Sequence, residues 1–154
     1  MTKRLLLVAH VPSPNTIALR DAAVRGASST DVSGIEVVSK TPFEAGPEDV
    51  LACDGIILGT TENLGYMSGA LKDFFDRTYY GVIEEKQGLP LGVYIRAGLD
   101  GTGTRRAIES ITGGLRWKLV QAPMILHGEW QDGFTQQVEE LGLAMAAGLE
   151  AGVF

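Results

Sequence analysis

Short apolar runs alternate with segments of helical periodicity along the chain. Residues 55–59 form an uninterrupted apolar run, which is typical of a parallel strand covered on both faces. Four similar runs predict strands at residues 4–9, 35–39, 91–95 and 122–127. Helical spacing predicts helices at residues 15–27, 48–53 and 134–149, and two more that follow residues 67 and 101. The pattern therefore predicts five strands that alternate with five helices.

The apolar positions within each predicted helix indicate which side is buried. In the central helix, Leu71, Phe74, Phe75 and Thr78 share one face, and Ser68 is placed to cap the first turn. Thr102 or Thr104 is expected to cap the fourth helix. The positions expected to be buried in the first, fourth and closing helices are Ile17, Ala18, Ala22, Val24 and Ala27; Ile108, Ile111 and Leu115; and Phe134, Val138, Leu141, Met145 and Leu149.

Alternating strands and helices imply an α/β fold with a parallel sheet, right-handed crossovers and helices on both faces. A chain of 154 residues is long enough for one well-buried domain, so residues 1–154 are expected to form a single domain. In such sheets the strand order reverses beside the first strand, and ligands bind at the carboxyl ends of the strands there. The loops at residues 10–16 and 60–67 are therefore expected to face one crevice, with residues 96–103 along its far wall.

Charge and composition exclude several classes of function. The formal net charge of −6 argues against a nucleic-acid partner, which needs a basic face. No apolar run approaches the roughly 20 residues that span a bilayer, so no membrane role is expected, and residues 4–9 predict a strand rather than a signal peptide. Cys53 is the single cysteine, so an internal disulfide is impossible and a cytoplasmic location is expected.

The loop at residues 10–16, HVPSPNT, joins a strand to a helix N-terminus. Hydroxyl, amide and backbone groups of Ser13, Asn15 and Thr16 would point at one spot, where the helix dipole favours an anion such as a phosphate monoester. Pro12 and Pro14 fix the loop but remove two backbone donors. The alternative is that Ser13 or Asn15 only caps the helix.

The segment at residues 59–77, GTTENLGYMSGALKDFFDR, is the strongest motif in the chain. It resembles the second flavin loop and following helix of the flavodoxin-like FMN proteins, especially the WrbA-type and NADPH-dependent FMN reductase relatives. Those proteins carry Gly-Thr-Pro-x-x-x-Gly-x-Met-Ser before a helix that ends Phe-x-Asp-Arg. HVPSPNT resembles their phosphate loop, Ser-x-Thr-Gly-Asn-Thr, through Ser13, Asn15 and Thr16. Val11, Pro14, Asn63 and Leu64 depart from the family pattern, and the last two stand where relatives often place an aromatic residue.

The resemblance implies a flavodoxin-like three-layer sandwich with a five-stranded parallel sheet in the order 2-1-3-4-5. It implies FMN as the cofactor and no catalytic side chain, because the flavin itself carries the chemistry. The FMN-binding residues that it implies are His10, Ser13, Pro14, Asn15, Thr16, Thr60, Thr61, Glu62, Asn63, Leu64, Gly65, Tyr66, Met67, Arg96, Ala97, Gly98 and Asp100.

Several residues would then tune the flavin. Glu62 and Asp100 near the ring would lower its potential, whereas Arg96 near N1 would raise it. The Gly65 peptide could present its carbonyl to a protonated flavin N5. Met67 is expected to pack below the ring.

Two functional classes fit the resemblance. The first is an NAD(P)H-dependent oxidoreductase that passes electrons from bound FMN to a quinone-like or other small acceptor. The second is a flavodoxin-type electron carrier for a larger redox partner, and a third possibility is a relative that has lost flavin. A homodimer or higher homo-oligomer is expected, and no metal site, because His10 and His127 lack spaced partners. The chain has no Cys-x5-Arg phosphatase loop, Walker motif or complete dinucleotide fingerprint.

Overall fold

Within residues 2–154, which the computed structural model describes, the chain forms seven strands and five helices. The strands are β1 (Lys3–Ala9), β2 (Ile35–Lys40), β3 (Gly55–Asn63), β4 (Tyr66–Met67), β5 (Pro90–Ala97), β6 (Lys118–Leu119) and β7 (Met124–His127). The helices are α1 (Pro14–Ala27), α2 (Pro47–Leu51), α3 (Gly69–Val82), α4 (Thr102–Gly114) and α5 (Gly133–Ala151). None of the helices within residues 2–154 is both long and apolar enough to cross a membrane.

The main sheet is parallel, with the strand order β2-β1-β3-β5 followed by β6 and β7. This arrangement confirms the predicted order, with one difference in the last strand. The predicted fifth strand, residues 122–127, is observed as β7, which begins two residues later, and the short strand β6 precedes it. β6 pairs with the start of β5 and β7 pairs with its end. Pro123 lies between the two pieces and has no N–H to donate, so the hydrogen-bonded ladder is interrupted there.

Each face of the sheet carries its own hydrophobic core. The core on one side includes Ile56, Leu58, Phe74 and Ile108, and it joins the sheet to α2, α3 and α4. The core on the other side joins the sheet to α1 and α5, and includes every position predicted for the closing helix: Phe134, Val138, Leu141, Met145 and Leu149. The predicted stripe of the central helix is also buried, and Ser68 caps that helix by accepting the Leu71 N–H at 3.1 Å.

The buried side of α1 agrees with the prediction at Ala22 and Ala27 and differs from it elsewhere. Leu19 and Ala23 are fully buried, whereas Ile17 is 39% exposed. The reason is close packing between α1 and α5 at glycines, since a Cβ atom at Gly26 would lie 1.9 Å from the Glu139 carbonyl oxygen. A Cβ atom at Gly142 would lie 2.3 Å from the Ala23 carbonyl oxygen. Backbone contact with α5 therefore sets the orientation of α1.

The start of α4 also differs from the prediction, because neither Thr102 nor Thr104 caps it. The capping residue is Gly101, which has a φ of 74°, in the left-handed region that glycine adopts without strain. Asp100 Oδ1 accepts the Thr102 N–H at 3.0 Å instead. Thr104 is buried against the sheet, on the same side of the helix as Ile108.

Candidate functional site

The loops that follow β1, β3, β5 and β7 meet at the carboxyl edge of the sheet. The His10 N–H donates to the Gly59 carbonyl at 3.0 Å, which ties the start of the first loop to β3. The Gly128 N–H donates to the Ala97 carbonyl at 3.0 Å, which ties the last loop to β5. The structure thus brings together the three loops that the sequence predicts to share one crevice.

The first loop is closed by hydrogen bonds between Ser13 and Thr16. Ser13 Oγ accepts the Thr16 N–H at 3.2 Å, and Thr16 Oγ1 accepts the Ser13 N–H at 2.9 Å. This is a reciprocal cap of α1, so Ser13 does cap the helix. Its predicted contact with a phosphate stays a prediction. Thr16 is only 5% exposed, because its side chain is turned into the cap.

Asn15 is the exposed polar residue of this loop. It occupies the second position of α1, after Pro14, where a backbone N–H has no carbonyl partner within the helix. Its amide and N–H, with the outer side of the Ser13 hydroxyl, form a small donor set at the positive end of a 14-residue helix. This chemistry fits a phosphate monoester.

The second loop is a β-hairpin, a structure that the sequence analysis did not predict. Strand β3 continues to Asn63, four residues beyond its predicted end, and pairs antiparallel with β4 through Glu62–Met67 and Asn63–Tyr66. The two turn residues, Leu64 and Gly65, have φ angles of 53° and 75°. Two positive φ values in a two-residue turn match the right-handed twist of hairpin strands. The sequence signal for this turn was Gly65, which lies in a short segment flanked by β-forming side chains.

Thr60 and Ser68 anchor the base of this hairpin. The Thr60 hydroxyl accepts the Ser68 N–H at 3.1 Å and lies 3.1 Å from the Ser68 hydroxyl. Both side chains are buried, as is Met67 at 2% exposure. Met67 belongs to the core that also contains Leu71 and Phe74, in agreement with its predicted role in packing.

Glu62 joins the hairpin to the loop after β5. Its Oε1 accepts the Leu99 N–H at 2.6 Å, and its Oε2 accepts the Gly101 N–H at 2.9 Å. One half-buried carboxylate therefore holds two backbone donors that lie 37 and 39 residues further along the chain. Glu62 is predicted from the sequence as an FMN-binding residue and a charge near the flavin, and this contact is not.

The Gly65 carbonyl is directed at the first turn of α4. A Cβ atom at Gly103 would lie 2.1 Å from the Gly65 oxygen, so only glycine at position 103 allows the hairpin to approach so closely. Presentation of this carbonyl to a flavin N5, as predicted from the sequence, would require rotation of the peptide. A Cβ at Gly65 itself would meet no heavy atom of residues 2–154 within 4 Å.

Arg96 lies on the opposite face of the sheet from Glu62. Side chains alternate along a strand, and Tyr94, two residues before Arg96, packs in the core beside α1 and α5. The guanidinium donates to the Leu126 carbonyl at 3.0 Å and stacks on the rings of Trp130 and Phe134, with distances of 5.8 and 5.1 Å to their centroids. These contacts hold Arg96 against the start of α5.

Two titratable groups of the edge have shifted pKa values. Hydrogen bonds from the Thr102 backbone and side chain lower the pKa of Asp100, so this carboxyl is ionised at neutral pH. Burial lowers the pKa of His10, which keeps the imidazole neutral at pH 7. The edge therefore presents a fixed negative charge at Asp100 and a neutral ring at His10.

Three exposed apolar side chains line this edge, and we call Leu64, Tyr66 and Leu99 the apolar rim. Their exposed fractions are 105%, 40% and 65%. Leu64 and Tyr66 belong to the hairpin, and Leu99 belongs to the loop that Glu62 holds against it. Beside the rim, a Cβ at Gly98 would meet no heavy atom within 4 Å among the described residues. The rim is apolar and accessible, and thus suits the face of a planar ring system.

Cys53 lies outside this site and is a buried thiol. Its side chain is fully buried, and Sγ donates to the Val50 carbonyl at 3.2 Å. Burial raises the pKa of the thiol to about 11, so it is protonated at neutral pH. No group of three or more His, Cys, Asp or Glu residues within residues 2–154 is arranged to hold a metal ion.

The strand order, the helices on both faces and the loops at the carboxyl edge define a flavodoxin-like α/β protein. The family model described as NADPH-dependent FMN reductase matches residues 13–136. The chain therefore belongs to the NADPH-dependent FMN reductase family, whose members are flavodoxin-like proteins that bind FMN.

Individual relatives agree with this assignment. A flavodoxin from Aquifex aeolicus (strain VF5) is 32% identical over 108 residues, which are 70% of this chain and 57% of that protein. The match thus spans little more than half the length of this curated relative.

Solved structures support the fold. An archaeal flavodoxin superposes with a TM-score of 0.74 at 18% identity, covering 93% of this chain and 96% of that one. A WrbA-like flavodoxin from Agrobacterium tumefaciens gives 0.74 at 19% identity, with 94% and 96% covered. Flavodoxin 2 from Bacillus cereus gives 0.72 at 22% identity, with 94% and 98% covered.

Proposed function

We propose that this protein binds FMN at the carboxyl edge of its sheet and acts as an NAD(P)H-dependent oxidoreductase on a quinone-like or other small acceptor. The observation that carries the proposal is the apolar rim, which stands on two loops that one carboxylate, Glu62, holds together. Membership of the NADPH-dependent FMN reductase family supports the same reaction class.

Different residues of the edge would contact different parts of FMN. Asn15 and Ser13 would bind the phosphate, and the backbone of residues 61–67 and 97–100 would border the isoalloxazine ring. Bound FMN would supply the exchange of hydride and electrons, and the protein would position the reactants and exclude water. The apolar rim would cover one part of the ring, and the ionised Asp100 would disfavour extra negative charge on it.

The hairpin tip favours the reductase over a pure electron carrier. Leu64 lies at the turn where relatives often have an aromatic side chain, and it is fully exposed, so the ring face beside it is open to a second planar molecule. A nicotinamide could stack there directly. The alternative, an electron carrier for a larger redox partner, is favoured by the net charge of −6, which would attract a basic docking surface.

A cytoplasmic location and assembly as a homodimer or higher homo-oligomer stay predictions.

Flavin binding is tested by fluorescence titration with FMN and, separately, with riboflavin, which lacks the phosphate. Replacement of Asn15 by Ala is expected to weaken FMN binding about tenfold, because one charge-assisted hydrogen bond is lost, and to leave riboflavin binding unchanged. Gln121→Ala, an exposed amide far from this loop, is the matched control. A protein that takes up neither flavin would contradict the proposal.

The reaction class is tested by anaerobic mixing of the FMN-loaded protein with NADH or NADPH. Rapid bleaching of the flavin absorbance, followed by reoxidation with a quinone, is the expected result. Bleaching only by an added reductase protein would establish the electron carrier instead.

A further inference from the structure

A second concave site lies next to the loop that Glu62 holds. It is a cavity of about 300 Å³ lined by Thr102, Arg105, Arg106, Glu109 and Ile125. Ile125 of β7 also faces Gly101, where a Cβ atom would lie 2.8 Å from Ile125 Cγ2. The cavity therefore adjoins Gly101, whose N–H donates to the Glu62 carboxylate.

The lining of this cavity is positively charged in an otherwise acidic chain. Arg105 Nε donates to Glu109 Oε1 at 2.8 Å, which neutralises Glu109 and leaves the other two guanidinium nitrogens of Arg105 for a ligand. The Arg106 side chain is exposed and makes no hydrogen bond or salt bridge to a residue within 2–154, apart from the backbone bonds of its helix. Asp100, two residues before α4, is ionised but does not line the cavity. The charged lining residues Arg105, Arg106 and Glu109 together carry one net positive charge.

The chemistry of the lining selects a phosphate group. A guanidinium presents several N–H donors in a plane that matches two phosphate oxygens, and such pairs are stronger than neutral hydrogen bonds. The volume is at the lower limit for small-molecule sites, so it suits one phosphate and its sugar rather than a whole dinucleotide. Ile125 adds an apolar wall for the carbon atoms of the sugar.

We propose that this cavity binds a phosphate group of the nicotinamide dinucleotide whose nicotinamide stacks at the apolar rim. The proposal rests on the proposed function, since it assigns a second contact to the same reductant. The phosphate is either the 2′-phosphate of NADPH or the pyrophosphate common to NADPH and NADH. Arg106 binds this phosphate, and Arg105, which Glu109 holds in place, donates further hydrogen bonds to it.

A binding experiment with the FMN-loaded protein tests the site without any turnover. The probes are adenosine 2′,5′-bisphosphate and ADP, titrated by calorimetry. Arg106→Gln is expected to weaken the binding of at least one probe about tenfold, because charge-assisted hydrogen bonds to phosphate are lost. Lys118→Ala, an exposed cation at the amino end of β5, is the matched control and is expected to change nothing.

Steady-state kinetics then distinguish the two sources of phosphate. If the 2′-phosphate is bound, Arg106→Gln raises KM for NADPH about tenfold, with kcat and the NADH reaction unchanged. If the pyrophosphate is bound, KM rises for both nucleotides. Equal binding of both probes by wild type and Arg106→Gln, or an equal loss in Lys118→Ala, would overturn the proposed site.

Failure of the proposed function gives a different result. In that case neither nucleotide bleaches the flavin of the wild-type protein, whereas calorimetry with the two probes still reports directly on the cavity. Probe binding that depends on Arg106 would then support the anion site and reject only the reductase reaction.

Discussion

The two loop systems at the carboxyl edge of the sheet are built in opposite ways. The loop at residues 10–16 is closed by hydrogen bonds between Ser13 and Thr16, three residues apart, and is stiffened by Pro12 and Pro14. The hairpin at residues 60–67 is fixed by contacts with residues more than 35 positions away, through the Glu62 carboxylate. The hydrogen bonds that close the first loop are local, whereas the hairpin, besides its own short-range pairing, depends on contacts with distant residues.

This difference has a consequence for the sensitivity of the two loops to substitution. In the first loop, one lost hydrogen bond affects one turn of α1. In the second, Glu62 and Gly103 hold both the hairpin and the start of α4, so one change displaces two loops. We therefore expect substitutions in the hairpin contacts to have larger effects than substitutions in the first loop.

The largest effect is expected for Gly103→Ala. The new Cβ would lie 2.1 Å from the Gly65 carbonyl oxygen, a backbone atom, so the hairpin and α4 must separate. Thermal unfolding monitored by circular dichroism should show a loss of about 2 kcal/mol, as for other overpacked contacts. This loss would occur even though alanine is the better helix former.

Gly113→Ala in the same helix is the control for that experiment. A Cβ at Gly113 meets no heavy atom of residues 2–154 within 4 Å, so the substitution should be neutral or stabilise the protein by up to about 1 kcal/mol. Equal stability of the Gly103→Ala and Gly113→Ala variants would show that the hairpin does not pack closely against α4.

A smaller effect is expected for Glu62→Gln. The amide keeps one acceptor oxygen but loses the charge and the second acceptor, so the Leu99 and Gly101 N–H groups are held less well. Stability should fall by about 1.5 kcal/mol, the lower end for hydrogen bonds to a charged group, because the site is half-exposed.

Amide hydrogen exchange locates the effect of Glu62→Gln. Exchange at Leu99 and Gly101 should become faster, whereas exchange in the first turn of α1 should not change. Unchanged protection of the Leu99 amide would mean that the carboxylate does not hold the loop.

The smallest effect is expected for Ser13→Ala, which removes the cap acceptor of the Thr16 N–H. Helix caps of this kind contribute about 1 kcal/mol, and chemical denaturation should show a loss of that size. Ser28→Ala, at the other end of α1, is the control, since the Ser28 side chain makes no hydrogen bond within residues 2–154. A Ser13→Ala loss larger than that of Glu62→Gln would reverse the ranking of the two loops.

Local signals in the sequence were sufficient wherever neighbours along the chain decide the structure. The parallel sheet follows from the alternating elements, and the strand order, which the family resemblance implies, is confirmed. The cap at Ser68 also depends on residues within one turn and is as predicted. The ion pair between Asp73 and Arg77, at 2.7 Å, is local in the same way. The division of the last strand at Pro123 is a local effect that the prediction did not include.

Other features could not be predicted because their partners are distant in sequence. The orientation of α1, with Ile17 exposed, follows from its contact with α5 at Gly26 and Gly142. The placement of Arg96 on the face opposite Glu62 depends on the side of the sheet to which each strand residue points. Its stacking on Trp130 and Phe134 requires α5 to be in place.

The amino-acid sequence by itself determined the α/β architecture, the family and the three loops that converge on one edge, because periodicity and short motifs are local properties of the chain. Only the tertiary structure decided what those loops do with their polar groups. It directed the Glu62 carboxylate to two distant N–H groups. It also placed the Arg106 side chain, which makes no salt bridge within residues 2–154, beside an open cavity. Hydrogen bonds and desolvation depend on which atoms come within about 3 Å of each other, and that distance is set by packing across the whole domain.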